Sequence, residues 1–187
     1  MGIVRKQSII GSIWVYLGAG LGFVTSALLF PHYLDAEQIG LLNLLVTYGM
    51  LFAQFASAGF QNTITRMFPY FRDETKKHNG FLFLTLAVVG IATILMIGVF
   101  FATEPLITQS NDKGGSLLQE YGLLIVPMFV FIVLFNILDT YTKALYNATR
   151  GILQKEVVLR ILTLILIVAF IFNAVNYHQF VYLYVAC

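Results

Sequence analysis

Asn136, Asp139, Thr140, Lys143 and Asn147 recur at spacings of one to four residues. At 100° per residue they fall within about 100° of arc, on one side of a helix. Asp139 and Lys143 are four apart and can pair along that helix. One reading is an ion pair at a helix end. The other is the polar wall of a cavity open to the cytoplasm. A second set, Asn43, Thr47, Gln54, Gln61 and Thr65, carries no charge. On a continuous helix its five members lie within about 40° of one another. Amides and hydroxyls aligned in this way either bond to neighbouring helices or line a hydrated path. Arg66 and Arg160 complete the inventory, since a guanidinium presents planar donors that match two phosphate oxygens at once. Each could equally be a positive anchor at the membrane surface.

These residues are set in apolar surroundings. Of the 187 residues, 59% are hydrophobic and 11% charged, against about 25% charged in a soluble domain. So few charges cannot cover a folded surface in water. The net charge of +2 makes no case for nucleic acid, and the single cysteine, Cys187, excludes an internal disulfide. Glycine-rich phosphate loops, His-Glu-x-x-His and paired cysteines are absent, and His32, His78 and His178 are scattered. No metal, cofactor or catalytic residue is expected, and the chain reads as something other than an enzyme. Asn147-Ala-Thr149 matches a glycosylation acceptor but falls on the expected inner side.

A spanning helix needs about 20 mostly apolar residues. Charge-free stretches predict an all-α polytopic transmembrane helix bundle, with helices over residues 8–32, 38–65, 80–102, 121–145 and 157–174. A sixth, 179–187, is incomplete, so the whole of 1–187 is expected to be one N-terminal transmembrane lobe of a longer protein. The first run exceeds the roughly 7–15 apolar residues of a cleaved signal. Pro31, Pro69 and Pro105 mark expected helix ends, whereas Pro127 inside the fourth run predicts a kink. Gly18, Gly22 and Ser26, and likewise Gly49, Ala53 and Ser57, are small residues at four-residue spacing that let helix backbones approach closely.

Lys and Arg are retained on the cytoplasmic side. With the N-terminus inside, ten of the eleven cations (Arg5, Lys6, Arg66, Arg72, Lys76, Lys77, Lys143, Arg150, Lys155, Arg160) lie on the inner side and Lys113 alone outside. The outer connections hold Asp35, Glu37, Glu104, Asp112 and Glu120. A cytoplasmic N-terminus is expected.

Four segments carry a family resemblance. They are Val4-Arg-Lys-Gln-Ser-Ile-Ile10 before a glycine-rich helix, Phe30-Pro-His-Tyr-Leu-Asp-Ala-Glu-Gln-Ile-Gly40, Ala58-Gly-Phe-Gln-Asn-Thr-Ile-Thr-Arg-Met-Phe-Pro69, and Lys143-Ala-Leu-Tyr-Asn-Ala-Thr-Arg-Gly-Ile-Leu-Gln154. In this order the chain resembles the N-terminal half of polysaccharide flippases, the Wzx-like or oligosaccharide flippase family. Their superfamily includes the MATE multidrug exporters. The resemblance implies the first six-helix lobe of a two-lobe, MATE-like transporter in a bacterial cytoplasmic (inner) membrane. Its substrate would be an undecaprenyl-pyrophosphate-linked oligosaccharide used for surface polysaccharide or O-antigen. Alternating access would move it between leaflets among membrane lipids, with other polysaccharide-assembly membrane proteins as candidate partners. Arg66, Lys143 and Arg160 would then meet the anionic headgroup. Asn43, Gln54, Gln61, Asn136 and Asp139 would supply polar contacts.

The alternatives are a cation-coupled MATE-type exporter, a membrane-embedded polysaccharide polymerase and an assembly subunit. Ser8 to Phe30 contains no acid, which weighs against ion coupling through the first helix, although Asp139 could substitute. It also lacks the Arg and Asp typical of the lipid II flippase branch. The longest outer loop, Ala102 to Glu120, has no Arg, which weighs against a polymerase.

Overall fold

The structure, a computed structural model, describes residues 3–71, 80–108, 113–145 and 148–186. Gly2, Arg72, Lys76, Lys77, His78, Gln109 to Asp112, Asn147 and Cys187 lie outside the described residues, as do the side chains of Lys6 and Lys113.

Hydrocarbon offers no partner to a backbone N–H or C=O, so a spanning chain must satisfy these groups within its own helices. Accordingly, the described residues hold helices and no strand. Helix α1 (Ile3–Gly22) runs through a π turn (Phe23–Leu29) into α2 (Phe30–Tyr33), and α3 (Ala36–Ala56) is followed by α4 (Phe60–Phe71). Then come α5 (Phe81–Thr108), α6 (Lys113–Tyr121), a 3-10 turn (Gly122–Leu124) and α7 (Ile125–Ala144). Helix α8 (Ala148–Leu153) passes through a second π turn (Gln154–Val158) into α9 (Leu159–Ile171), and α10 (Tyr177–Ala186) completes the order.

Among the described residues, four runs are long and apolar enough to cross a membrane: Gln7–Tyr33, Ala36–Ala56, Phe81–Pro105 and Leu117–Ala144. The shortest, 21 residues, is about 31 Å long, which matches the roughly 30 Å hydrocarbon core. Their outward faces are apolar too, with Phe83 79%, Ile94 69% and Leu95 67% exposed. Such a surface is stable against lipid and not against water, so the protein is membrane-embedded.

The expected fifth span differs in its start. Its helical run begins at Ala148, nine residues before the expected Val157, and carries Arg150, Lys155 and Glu156 in its first half and Arg160 at its middle. Proline positions also differ from expectation. Pro69 and Pro105 lie inside the last turns of α4 and α5 rather than beyond them. Pro127, by contrast, lies inside the Leu117–Ala144 run as expected, in the first turn of α7. The irregularity there is the 3-10 turn just before it.

The chain divides into two compact units, 1–42 with 147–187, and 43–146. In the first, α1 packs along α8, the second π turn and α9. Gly11, Gly18 and Gly22 are buried along that seam. A Cβ at Gly11 would lie 3.2 Å from Ile152 Cδ1, and one at Gly18 would overlap the Glu156 carbonyl oxygen. The next buried small residue is Thr25, not the expected Ser26. Its hydroxyl donates to the Leu21 and Gly22 carbonyls at 3.0 and 3.1 Å.

In the second unit, Phe52 packs edge-on to Phe100 at 5.4 Å and stacks on Phe129 at 5.8 Å. Further along, Phe68 meets Phe81 at 6.0 Å and Tyr141 at 5.3 Å. Gly49, Ala53 and Ser57 are buried, as their spacing predicts. A Cβ on Gly49 would lie 3.1 Å from Met128 Cγ.

The helix expected over 38–65 is two helices. Ala58 has φ 47° and Gly59 φ 71°, a left-handed pair that no right-handed helix contains. Phe60 N–H, which a continuous helix would send to Ala56, donates to Ser57 at 2.8 Å. Asn62 N–H goes to Gly59 at 3.0 Å instead of Ala58. The Ala56 and Ala58 carbonyls thereby lose their helical donors. Phe52 is level with Phe100 and Phe68 with Phe81, so the interruption falls within the depth of the α5 span. A left-handed alanine costs about 1–2 kcal/mol. Ala58→Gly is therefore expected to stabilise the detergent-solubilised chain by about 1 kcal/mol in a thermal melt. Gly59→Ala, which meets nothing within 4 Å, is expected to destabilise it by a similar amount through φ alone.

Candidate functional site

Seven of the eight candidate residues fall in the second unit, on α3, α4 and α7: Asn43, Gln54, Gln61, Arg66, Asn136, Asp139 and Lys143. Arg160 belongs to the first.

The interruption at Ser57 to Gly59 breaks the rotation on which the five-residue alignment depended. What remains is two shorter polar runs, Asn43, Thr47 and Gln54 on α3 and Gln61, Asn62 and Thr65 on α4. Five of these six side chains are exposed and Gln61 is half-buried. Thr47 and Thr65 return their hydroxyls to their own helices, donating to the Asn43 and Gln61 carbonyls at 2.7 and 3.0 Å. Ser57 does the same to the Gln54 carbonyl at 2.8 Å. The amides have no such outlet. Among the described residues, Asn43, Gln54, Gln61 and Asn62 make no side-chain hydrogen bond. Each brings two donors and an acceptor into a spanning helix or its continuation. Leaving them dry costs more than leaving them in water.

Asn62 was not among the candidates read from sequence. It stands 100° from Gln61 on a continuous helix, outside the 40° stripe. The interruption itself had a local signal, a glycine two residues after Ser57, the position that terminates many helices in left-handed conformation.

On α7, Lys143 Nζ donates to Asp139 Oδ2. The pair is lopsided, with the lysine side chain 47% exposed and the aspartate 14%. Asp139 Oδ1 is buried without a partner. Thr140 and Thr142 donate to the Asn136 and Asp139 carbonyls at 2.7 and 2.9 Å, and the half-buried Asn136 amide makes no hydrogen bond among the described residues. Removing the lysine strands a mostly buried carboxylate, whereas removing both charges does not. Lys143→Met is expected to cost about 1 kcal/mol, most of it recovered in the Asp139→Asn/Lys143→Met double variant. A double-mutant cycle on unfolding in detergent checks this; equal stabilities would make the pair an inert surface contact.

Arg66 is exposed on α4. Arg160 is placed differently from expectation. Because its helix starts at Ala148, Arg160 lies twelve residues from that end and eleven from Ile171, not at the helix start. Its guanidinium packs on Gly22 of α1. A groove between α5 and α7 is lined by Leu86, Val89, Thr93, Val133 and Ile137 among others, and Thr93 already donates to the Val89 carbonyl at 2.7 Å. That groove has no recognition chemistry. No group of three or more metal-ligating side chains occurs among the described residues.

No protein-family model matches the chain, and neither a curated protein nor a solved structure is detectably similar to it.

Proposed function

We propose that the chain is a transmembrane lobe of a flippase that moves a lipid-linked oligosaccharide across a bacterial cytoplasmic membrane, with its N-terminus in the cytoplasm. The observation that carries this reading is the run of unbonded amides at Asn43, Gln54, Gln61 and Asn62 across an interrupted helix. Uncharged amides donate to and accept from sugar hydroxyls without demanding a fixed orientation. They suit a substrate whose many hydroxyls must slide past. The interruption adds two carbonyls released from the helical ladder, and discontinuous helices of this kind serve as substrate sites in transporters. Arg66 on α4 and Lys143 on α7, which packs against α4, provide positive charge for an anionic headgroup.

The family resemblance supports the same reading and supplies the two-lobe, alternating-access frame. Loop charge supports the orientation: even with Arg160 set aside, nine cations against one lie on the inner side. The test is translocation of a fluorescent undecaprenyl-pyrophosphate oligosaccharide in proteoliposomes containing the protein. Transfer between leaflets that requires the protein is expected, and transfer no faster than in empty liposomes would overturn the proposal.

A second reading rests on Asp139. A buried carboxylate oxygen with no partner is also what a cation-coupled exporter would use. Under that reading Asp139→Asn abolishes drug efflux and leaves lipid transfer untouched.

A further inference from the structure

A mid-membrane charge is retained in an α-helix only when something compensates it. Gly22 lies fifteen residues from Gln7 and eleven from Tyr33 in the first span, and Arg160 packs on Gly22. The guanidinium therefore sits near the middle of the span, too deep for its side chain to reach either surface with ease. A Cβ on Gly22 would come 2.9 Å from Cζ and 3.3 Å from Nε of Arg160, so the seat exists only because residue 22 has no side chain. The expected protein acceptors are elsewhere or engaged. The Thr25 hydroxyl is spent on the Leu21 and Gly22 carbonyls. Glu156, one turn before Arg160, packs on Gly18 and forms no ion pair with it. Among the described residues Arg160 makes no hydrogen bond.

Both helices that meet here are irregular at this point. One π turn starts at Phe23, directly after Gly22, and the other ends at Val158, two residues before Arg160. π turns inside α-helices concentrate at functional sites, where they re-aim side chains at the expense of helix regularity. A half-buried, planar cation with open donors, flanked by two such turns, is built for an acceptor that presents two oxygens side by side.

We infer that Gly22 is a positioning residue that holds Arg160 as the cation of a mid-membrane anion site, whose ligand is a phosphate-bearing group. Glu156, one turn away on the same helix, is not paired with Arg160, so the ligand supplies the counter-charge. The site stands without the flippase proposal if the ligand is free phosphate. It rests on that proposal if the ligand is a lipid headgroup.

The experiment titrates the protein in nanodiscs of zwitterionic lipid with farnesyl phosphate, farnesol and inorganic pyrophosphate, read by calorimetry. Arg160→Gln and Gly22→Leu are expected to weaken farnesyl phosphate binding by about tenfold or more, and Arg160→Lys by less, because a lysine keeps the charge and loses the fork. Glu156→Gln is expected to leave binding intact or tighten it. Should Gly22→Leu fail to fold, Gly22→Ala and Arg160→Gln carry the same test. Binding of farnesyl phosphate but not pyrophosphate assigns a lipid headgroup, and Arg160-dependent binding of both assigns the phosphate itself. Farnesol binding equal to farnesyl phosphate, binding unchanged in Arg160→Gln, or no binding of either phosphate to the parent would each overturn the site. Intact phosphate binding with no oligosaccharide transfer would sink the proposed function and leave this site standing.

Discussion

Gly18→Leu is expected to cost the protein about 3 kcal/mol or more of stability, enough to leave little folded material. The reason is the identity of the atoms that residue 18 faces. A Cβ there would overlap the Glu156 carbonyl oxygen and lie 2.8 Å from Glu156 Cβ and 2.9 Å from its carbonyl carbon. Two of these atoms are backbone and the third is fixed to it, so no rotamer change can make room. Helix α1 and the Gln154–Val158 turn must move apart, and dispersion contacts along the whole seam weaken together. Between helices in lipid those contacts supply most of the attraction, since the tails are as apolar as the side chains. Two neighbours provide internal controls. At Gly11 the opposing atom is the flexible tip of Ile152, 3.2 Å away, and Gly11→Ala is expected to cost less than half as much. At Gly20 nothing lies within 4 Å, and Gly20→Ala is expected to be neutral or stabilising by up to about 1 kcal/mol through helix propensity. Thermal unfolding in one detergent across the series checks the ranking. A Gly18→Leu variant as stable as Gly20→Ala would mean that α1 does not pack on that turn.

The same seam shows what could be read in advance. Gly18, Gly22, Gly49 and Ala53 were legible because close packing in lipid selects small residues at one recurring spacing. The charge-free runs were legible because hydrocarbon excludes charge from most of a span. Arg160 defeated that logic. Its charge served as the sign that a helix was about to begin, whereas the helix already extends back to Ala148 and the charge is accommodated by a glycine on a different helix. That is tertiary information, carried by a residue 138 positions away in the chain. The interruption at Ala58 and Gly59 escaped for another reason. Hydropathy sums are blind to φ, and Ser57, Ala58 and Gly59 are apolar or small enough to pass as part of a continuous span. Consequently the polar residues are legible as types, while the single stripe that joins Asn43 to Thr65 depends on a rotation the backbone does not keep. Asn62 was lost by the same assumption.

Replacing the amides Asn43, Gln54 and Gln61 with leucine is expected to reduce oligosaccharide transfer by about 100-fold while leaving the fold intact or stabilised. A net hydrogen bond contributes about 1 kcal/mol, so three lost amide contacts remove about 3 kcal/mol from the translocating complex, close to two decades in rate. The direction of the stability change separates the two explanations that the residue pattern leaves open. If the amides bond to other helices, each leucine removes a partner, and the triple variant loses about 0.6–2 kcal/mol per site. If they face a hydrated path, each leucine relieves a polar group of its desolvation cost and the unfolding midpoint holds or rises. The exposure of Asn43 and Gln54 and the absence of hydrogen bonds to their amides among the described residues point to the second outcome. The measurement is paired: transfer in proteoliposomes and thermal unfolding of the same preparation. A stable variant with full transfer would remove these amides from the path. An unstable one would make them inter-helix fasteners. A stable variant that no longer transfers substrate is the combination that only a polar route through the membrane produces.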